Sequence, residues 1–309
     1  MDRLHWASRR VETLQGLHGR LGRAPLRAIR AEDGTLKFAW PFEPGGAIET
    51  VLIPSGRGRS TVCVSTQRGC RRGCLFCATG RDSRAQNLTP DEVELQVARA
   101  VVAAEAFGLP VPRNLVFMGM GEPLDNFRAV QTALERLVDP RGWAFAPRHV
   151  TVSTVGPSVR AIERTAAWPG RLAWSLHSAI DRVRQRLVPT ARHPVRELAE
   201  AFGRVVRRRN QPLFVELTLL EDENDDLSHA DAALALFADF PREVRFNLLP
   251  VNPTGAEFRP PAPERVERFQ ARLMAGGRRA LIRRARGRDR DAACGQLVSL
   301  RTLPGWPGS

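Results

Sequence analysis

From Thr61 onward, short apolar runs rich in β-formers alternate with stretches whose apolar residues recur at helical spacing, in a rhythm of about thirty residues. The runs Thr61 to Thr66, Asn114 to Met118, His149 to Thr154, Leu172 to Leu176, Leu213 to Leu220, Val244 to Pro250 and Ala280 to Arg284 read as strands. Helical patterns fall between them: Pro90 to Phe107 behind a Thr89 cap, Phe127 to Leu137, Ser158 to Ala167, Val195 to Arg208, Ser228 to Phe240 and Pro263 to Met274. Repeated strand–helix units imply parallel strands joined by right-handed crossovers, an α/β fold that closes as a partial or complete barrel. Before this rhythm, Leu4, Val11, Leu14, Leu17 and Leu21 fit one or two short amphipathic helices, and Lys37 to Trp40 and Ala47 to Pro54 fit two strands joined by a turn at Pro41 to Gly46. The expected organisation is a helical segment over 1–30, a β-extension over 31–60, a barrel over 61–300 and a flexible tail over 301–309.

The residues that interrupt the pattern collect at one end of the strands. A CxxxCxxC run, Cys70 to Cys77, follows the first barrel strand; Gly119-Met-Gly-Glu-Pro123, Ser153-Thr154, Ser175-Leu-His177 and Asn252 each sit at or just past the end of another. In parallel barrels the C-terminal strand ends build the active site, because the strand-to-helix loops and helix N-termini converge there. Three thiols this close suit a soft metal. A structural zinc site wants four protein ligands and no second cysteine pair follows, whereas three cysteines fit a four-iron four-sulfur cluster with one iron left open. A partial zinc site or a coincidence of cysteines is the alternative. Two glycines before Glu122 let backbone approach a ligand whose amino group the carboxylate can accept; an isolated glycine turn beside a surface acid reads the same way. Ser153, Ser175 and Asn252 offer groups for ribose, carboxylate or adenine edges, and each would also serve as a helix cap. His177 fits a cofactor contact or a packed core histidine. Cys294, in a loop after a run of arginines, is expected to have a lowered pKa and to act as a nucleophile, against the plainer reading of a small buried hydrophobe.

Composition narrows the class. Lys plus Arg total 47 against 33 Asp plus Glu, a formal net charge of +14, which points to a polyanionic partner such as RNA. Lys37 is the one lysine. Five cysteines, three of them within eight residues, do not make a secreted disulfide framework, and no apolar run approaches a membrane span or a signal peptide. The expected compartment is the reducing cytoplasm.

Taken together, Cys63 to Cys77, Met118 to Pro123, Val150 to Thr154, Ser175 to His177, Leu249 to Pro253 and Arg286 to Leu297 are collinear with, and closely resemble, the RlmN/Cfr family of radical S-adenosylmethionine (SAM) methyltransferases. The resemblance runs from about Lys37 to Leu300 and implies a radical SAM partial (β/α)6-type barrel with a short N-terminal helical and β extension. It implies methylation of an adenine ring carbon, C2 by default and C8 as the alternative, in rRNA or tRNA. Cys70, Cys74 and Cys77 would bind one 4Fe-4S cluster, and Gly121, Glu122, Ser153, Ser175, Leu176, His177 and Asn252 would bind SAM.

The same resemblance assigns two SAM molecules per turnover. One would methylate Cys294, a nucleophilic step; the second would be cleaved to a 5'-deoxyadenosyl radical that takes hydrogen from the methylated Cys294. The carbon radical would add to adenine, Cys63 would release the product by forming a disulfide with Cys294, and Glu49 would accept the ring proton. A flavodoxin- or ferredoxin-type electron donor, a monomeric state and no membrane association complete the expectation. The family's N-terminal helical domain is longer than the segment preceding the matching region here. That keeps open the same chemistry on a small molecule or another RNA; a cluster-bearing RNA-binding protein without catalysis would need neither Cys63, Cys294 nor Glu49.

Overall fold

In the computed structural model, residues 3–17, 21–22, 25–43, 45–56, 58–255, 257–287, 289 and 292–297 are described. The tail expected over 301–309, Arg288 and Arg290 of the basic segment, and Trp306 lie outside them. Helix α1 (Arg3–Leu17) precedes strands β1 (Arg27–Arg30), β2 (Leu36–Pro41), β3 (Ala47–Ser55) and β4 (Arg59–Cys63). A two-stranded ribbon, β5 (Gln67–Arg68) with β6 (Gln86–Asn87), brackets the cysteine loop. The regular alternation follows: α2 (Pro90–Ala106), β7 (Pro112–Phe117), α3 (Phe127–Val138), β8 (Val150–Thr154), α4 (Val159–Arg164), β9 (Arg171–Ser175), α5 (Asp181–Leu187), α6 (Val195–Arg209), β10 (Leu213–Leu219), α7 (Leu227–Leu236), β11 (Val244–Pro250), α8 (Pro263–Ala275) and β12 (Arg279–Ile282).

One ten-stranded sheet runs β1-β2-β3-β4-β7-β8-β9-β10-β11-β12. Pairing is antiparallel from β1 to β4 and parallel from β4 to β12. Neither edge strand meets the other, so the expected partial barrel is an open one: six strand–helix units and a last strand, with the β-extension continuing the sheet past β4. The sequence pattern placed helix over all of 1–30. Among the described residues there is one helix in that range, and Arg27–Arg30 instead pairs with β2 as a strand. The short α5 also goes beyond the expected elements.

Alternation decides which side chains face the lumen. In β10, Leu213, Val215, Leu217 and Leu219 are buried against the helices while Phe214, Glu216 and Thr218 point the other way. Trp174 of β9, fully buried, stacks on Phe202 of α6 at 4.9 Å between ring centroids and meets Phe237 edge-on at 6.0 Å. Helix α2 starts on a complete capping box: the Thr89 hydroxyl accepts from the Glu92 N–H (3.2 Å), and the Glu92 carboxylate accepts from the Thr89 N–H (2.7 Å). Helix α1 docks on α2 through Arg10, whose guanidinium donates twice to the buried Glu94 carboxylate, which also accepts from Trp143 Nε1. Among the described residues no helix is long and apolar enough to cross a membrane.

Candidate active site

The strand ends and loops at the C-terminal side of the sheet enclose a cavity of about 180 Å³ that opens to solvent. Of the thirteen candidate residues, Cys70, Cys74, Cys77, Gly121, Glu122, Ser153, Ser175, His177, Asn252 and Cys294 line it. Leu176, Cys63 and Glu49 do not.

The cysteine loop is built for sulfur donors. Cys70 is held by its N–H bonding to the Asp82 carbonyl (2.9 Å), and the thiol sulfurs receive backbone N–H groups: Arg72 on Cys70, Thr79 and Gly80 on Cys77. Burial pushes Cys70 up to about 12 and raises Cys74 well above its ordinary value, with the neighbouring thiols adding to the effect. Among the described residues no three His, Cys, Asp or Glu side chains are placed to hold one metal ion together. A cluster puts each ligand on its own iron, and three thiols around one cavity, with N–H groups aimed at the Cys70 and Cys77 sulfurs, fit that demand.

Beside the loop, the end of β7 passes so close to β4 that only glycine fits. A Cβ on Gly119 would lie 2.7 Å from the carbonyl of Val64, and one on Gly121 (φ +97°) would lie 2.6 Å from Gln67 Cβ. This approach sets Glu122, 2% exposed, at the cavity wall. Its two oxygens accept from the N–H groups of Leu124 and Val155, each at 2.9 Å, leaving further lone pairs for a ligand cation. Burial outweighs these bonds and raises the carboxyl to about 7. Ser153 and Ser175 share a 2.8 Å hydroxyl–hydroxyl bond across β8 and β9. His177 adopts a left-handed conformation (φ +61°), and its Nδ1 accepts from the Thr218 N–H, assigning the proton to Nε2. Burial, aided by the Arg184 charge, lowers it to about 3, so the ring is neutral. Leu176 is fully buried behind this turn.

The Cys294 loop is tied down by four hydrogen bonds to two segments of the cavity wall. Asn252 Nδ2 donates to the Cys294 carbonyl (3.0 Å), Ala78 N–H donates to the Gly295 carbonyl (2.7 Å), Gln296 Nε2 donates to Pro253 (2.9 Å), and the Thr79 hydroxyl donates to Leu297. Cys294 is therefore a part of the cavity wall, in contact with the open space of the cavity yet surrounded closely enough by protein to lose most of its hydration. The expected fall in its pKa is overturned: the thiol is raised to about 11, first by the protein packed around it and then by the Glu216 carboxylate, with Arg283 offsetting only part. Cys63, buried and free, lies in an apolar cluster with Val51, Met120, Ala292 and Leu297, where burial and the Cys294 charge both raise it. The two thiols are thus electrostatic neighbours across the base of the loop.

Glu49 sits elsewhere. It is fully buried on β3, 3.3 Å from Lys37 Nζ, and its carbonyl accepts from the Ser65 hydroxyl. Polar lining groups that were absent from the sequence-based candidates include Glu216, Thr218, Arg72 and Thr79. Glu216 accepts from Asn247 Nδ2 (2.8 Å), which is its register partner on β11, and burial raises it to about 7. A carboxylate at a lumen-facing position of the apolar run Leu213 to Leu220 was the available signal.

Residues 64–233 match the Radical SAM superfamily. The dual-specificity RNA methyltransferase RlmN of Anaeromyxobacter sp. (strain Fw109-5) is 42% identical over 278 residues, covering 87% of this chain and 72% of that one. RlmN 1 of Myxococcus xanthus is 41% identical over 299 residues, covering 93% and 82%. A radical SAM methyltransferase from Sphaerobacter thermophilus has a crystal structure that superposes with a TM-score of 0.85 at 36% identity, over 95% of this chain and 91% of that one.

Proposed function

The chain belongs to the RlmN family of radical SAM RNA methyltransferases, and on that premise we propose that it methylates an adenine ring carbon of rRNA or tRNA, C2 by default, through a methyl-cysteine on Cys294. The observation that carries this reading is the meeting of Cys294 with the three loop thiols in one cavity, with the buried Cys63 behind it. Mere RNA binding needs no such arrangement.

When bound, the 4Fe-4S cluster and SAM supply a 5'-deoxyadenosyl radical. Cys70, Cys74 and Cys77 would hold the iron, with loop N–H groups supporting the Cys70 and Cys77 sulfurs. Glu122 receives the ammonium of the methionine moiety, the Ser153–Ser175 pair offers hydroxyls to its carboxylate or ribose, and Asn252 fixes both cofactor and the Cys294 loop. Gly121 gives backbone access, Leu176 backs the site with apolar surface, and neutral His177 donates from Nε2 without adding charge. Cys294 takes a methyl group from one SAM: the sulfonium carbon–sulfur bond breaks, a carbon–sulfur bond forms on Cys294, and the thiol proton leaves. A second SAM serves each turnover. After the carbon has joined the base, the Cys63 thiol would attack the Cys294 sulfur: the bond from that sulfur to the transferred carbon breaks, the carbon takes up a proton to become the methyl group, and a thiol reductant returns the Cys63–Cys294 disulfide to two thiols for the next turnover. Glu49 can accept the ring proton only after parting from Lys37, so its role requires a conformational change in the β-extension.

A flavodoxin- or ferredoxin-type reductant, a monomeric enzyme and a cytoplasmic setting belong to the same reading. The test is nucleoside mass spectrometry of bulk rRNA and tRNA after incubation with anaerobically reconstituted enzyme, SAM and reductant. Gain of 2-methyladenosine supports C2 and 8-methyladenosine the C8 alternative; gain of neither, with Cys294 methylated, turns the search to non-RNA acceptors.

A further inference from the structure

The opposite end of the barrel carries a second concentration of chemistry that methyl transfer does not use. Arg59 opens β4, Arg113 is the second residue of β7, Arg148 and His149 lead into β8, Arg171 opens β9 and Arg245 is the second residue of β11. These strands are sheet neighbours, with Phe214 of β10 standing between Arg171 and Arg245. Both guanidinium groups lie against its ring, at 5.6 and 5.8 Å from the centroid. The arginines feel one another: the charges acting on His149 are those of Arg113, Arg148, Arg171 and Arg59, and those acting on Arg171 are Arg245 and Arg148.

Little negative charge answers them. Glu243 pairs with Arg245 and Arg279, but among the described residues Arg59, Arg113, Arg148 and Arg171 form no ion pair. Buried N–H groups on this side also lack acceptors, Arg245 Nε and Arg209 Nη1. Gathering like charges without a counter-ion is unfavourable, and a fork of N–H donors matches the oxygens of phosphate as it does those of carboxylate.

We infer that the N-terminal rim of the barrel is a phosphate-binding surface for the RNA backbone, separate from the catalytic cavity at the other end. The rim from β4 to β11 covers five strand spacings, about 24 Å at ~4.8 Å each. A single phosphate would engage one or two of these arginines; a run of backbone phosphates engages the arc. Contacts to backbone at the far end of the lumen carry no base specificity, and they hold a large folded RNA while its target base enters the catalytic side. This inference rests on RNA being the substrate.

The test uses the full-length protein and a fluorescently labelled tRNA transcript, with affinity followed as a function of salt. The variant Arg113→Gln/Arg148→Gln/Arg171→Gln is expected to bind roughly tenfold or more weakly at ~0.1 M salt. Its log K against log salt slope should flatten by about 2 to 3, at about 0.7–0.9 for each phosphate that is no longer neutralised. Self-methylation of Cys294, read by mass spectrometry, should stay at the wild-type level. If the triple variant does not fold, Arg113→Glu/Arg148→Glu changes only exposed side chains and should weaken binding at least as much. Wild-type affinity and slope in either folded variant would overturn the inference while leaving the RNA reading intact. Thermal stabilisation by inorganic phosphate that the variants lose, with tRNA binding unchanged, would assign the rim to a free anion and also overturn it. Failure of the wild-type protein to bind tRNA or rRNA would remove the substrate reading and the inference together.

Discussion

Replacing Glu216 with glutamine should stabilise the protein, by an amount that grows with pH. Glu216 faces the lumen, accepts from Asn247 Nδ2 at 2.8 Å, and has its carboxyl raised from an ordinary 4.5 to about 7, chiefly by burial. The folded state therefore holds this proton between those two values while the unfolded chain has released it. Stability is lost as pH rises through that window, and above about pH 7 the cost levels off at about 3 kcal/mol, from 1.36 kcal/mol per pKa unit. Glutamine keeps an oxygen for Asn247 and carries no charge. Relative to wild type, the variant should gain about 1.4 kcal/mol near pH 5.5 and about 3 near pH 8, so the gap widens by about 2 kcal/mol. Urea unfolding of both proteins at the two pH values, in the same state of iron loading, measures that gap; Glu122 and the other groups largely cancel because both proteins share them. A gap that does not change with pH, or that narrows, would refute the picture of a buried carboxyl in the middle of the lumen.

Other consequences are local. Thr89→Ala breaks the α2 capping box and should cost about 1 kcal/mol in chemical denaturation. Lys37→Met removes a cation from beside the buried Glu49 and should destabilise by about 3 kcal/mol, whereas Lys37→Met/Glu49→Leu should recover most of that loss. Gly119→Ala drives a methyl group into the Val64–Ser65 backbone, so β7 must shift from β4; lower iron incorporation and a lower melting temperature are expected together. Changing any one of Cys70, Cys74 and Cys77 to alanine should abolish the cluster's visible absorption, while Cys294→Ala should leave it intact.

Much of this was legible in the sequence because the fold repeats. Each barrel strand has one face against helices, so its apolar positions announce themselves, and the glycine, serine and cysteine interruptions fall where the strands end. What stayed hidden depended on contacts across the chain. Arg27–Arg30 has too few apolar residues to signal a strand, and its pairing with β2 forms it. Helix α5 is arginine-rich and short, yet Arg184 within it is 1% exposed, anchored to the Val155 carbonyl behind the cavity. The arginines near Cys294 in sequence suggested a lowered pKa, but burial and Glu216, which is 78 positions away, set its direction. The base role of Glu49 came from the resemblance alone; its ion pair with Lys37 on the neighbouring strand could not be read along the chain. The basic rim is spread through five strand starts and forms no run along the chain.

The most direct test of methyl transfer through Cys294 is mass spectrometry of Cys63→Ala protein isolated without oxygen from cells that supply their own RNA. With the resolving thiol gone, the mechanism predicts a nucleotide joined to Cys294 through one added carbon, in a fragment whose sequence identifies the RNA. Unmodified Cys294 in both this variant and the wild type would contradict it.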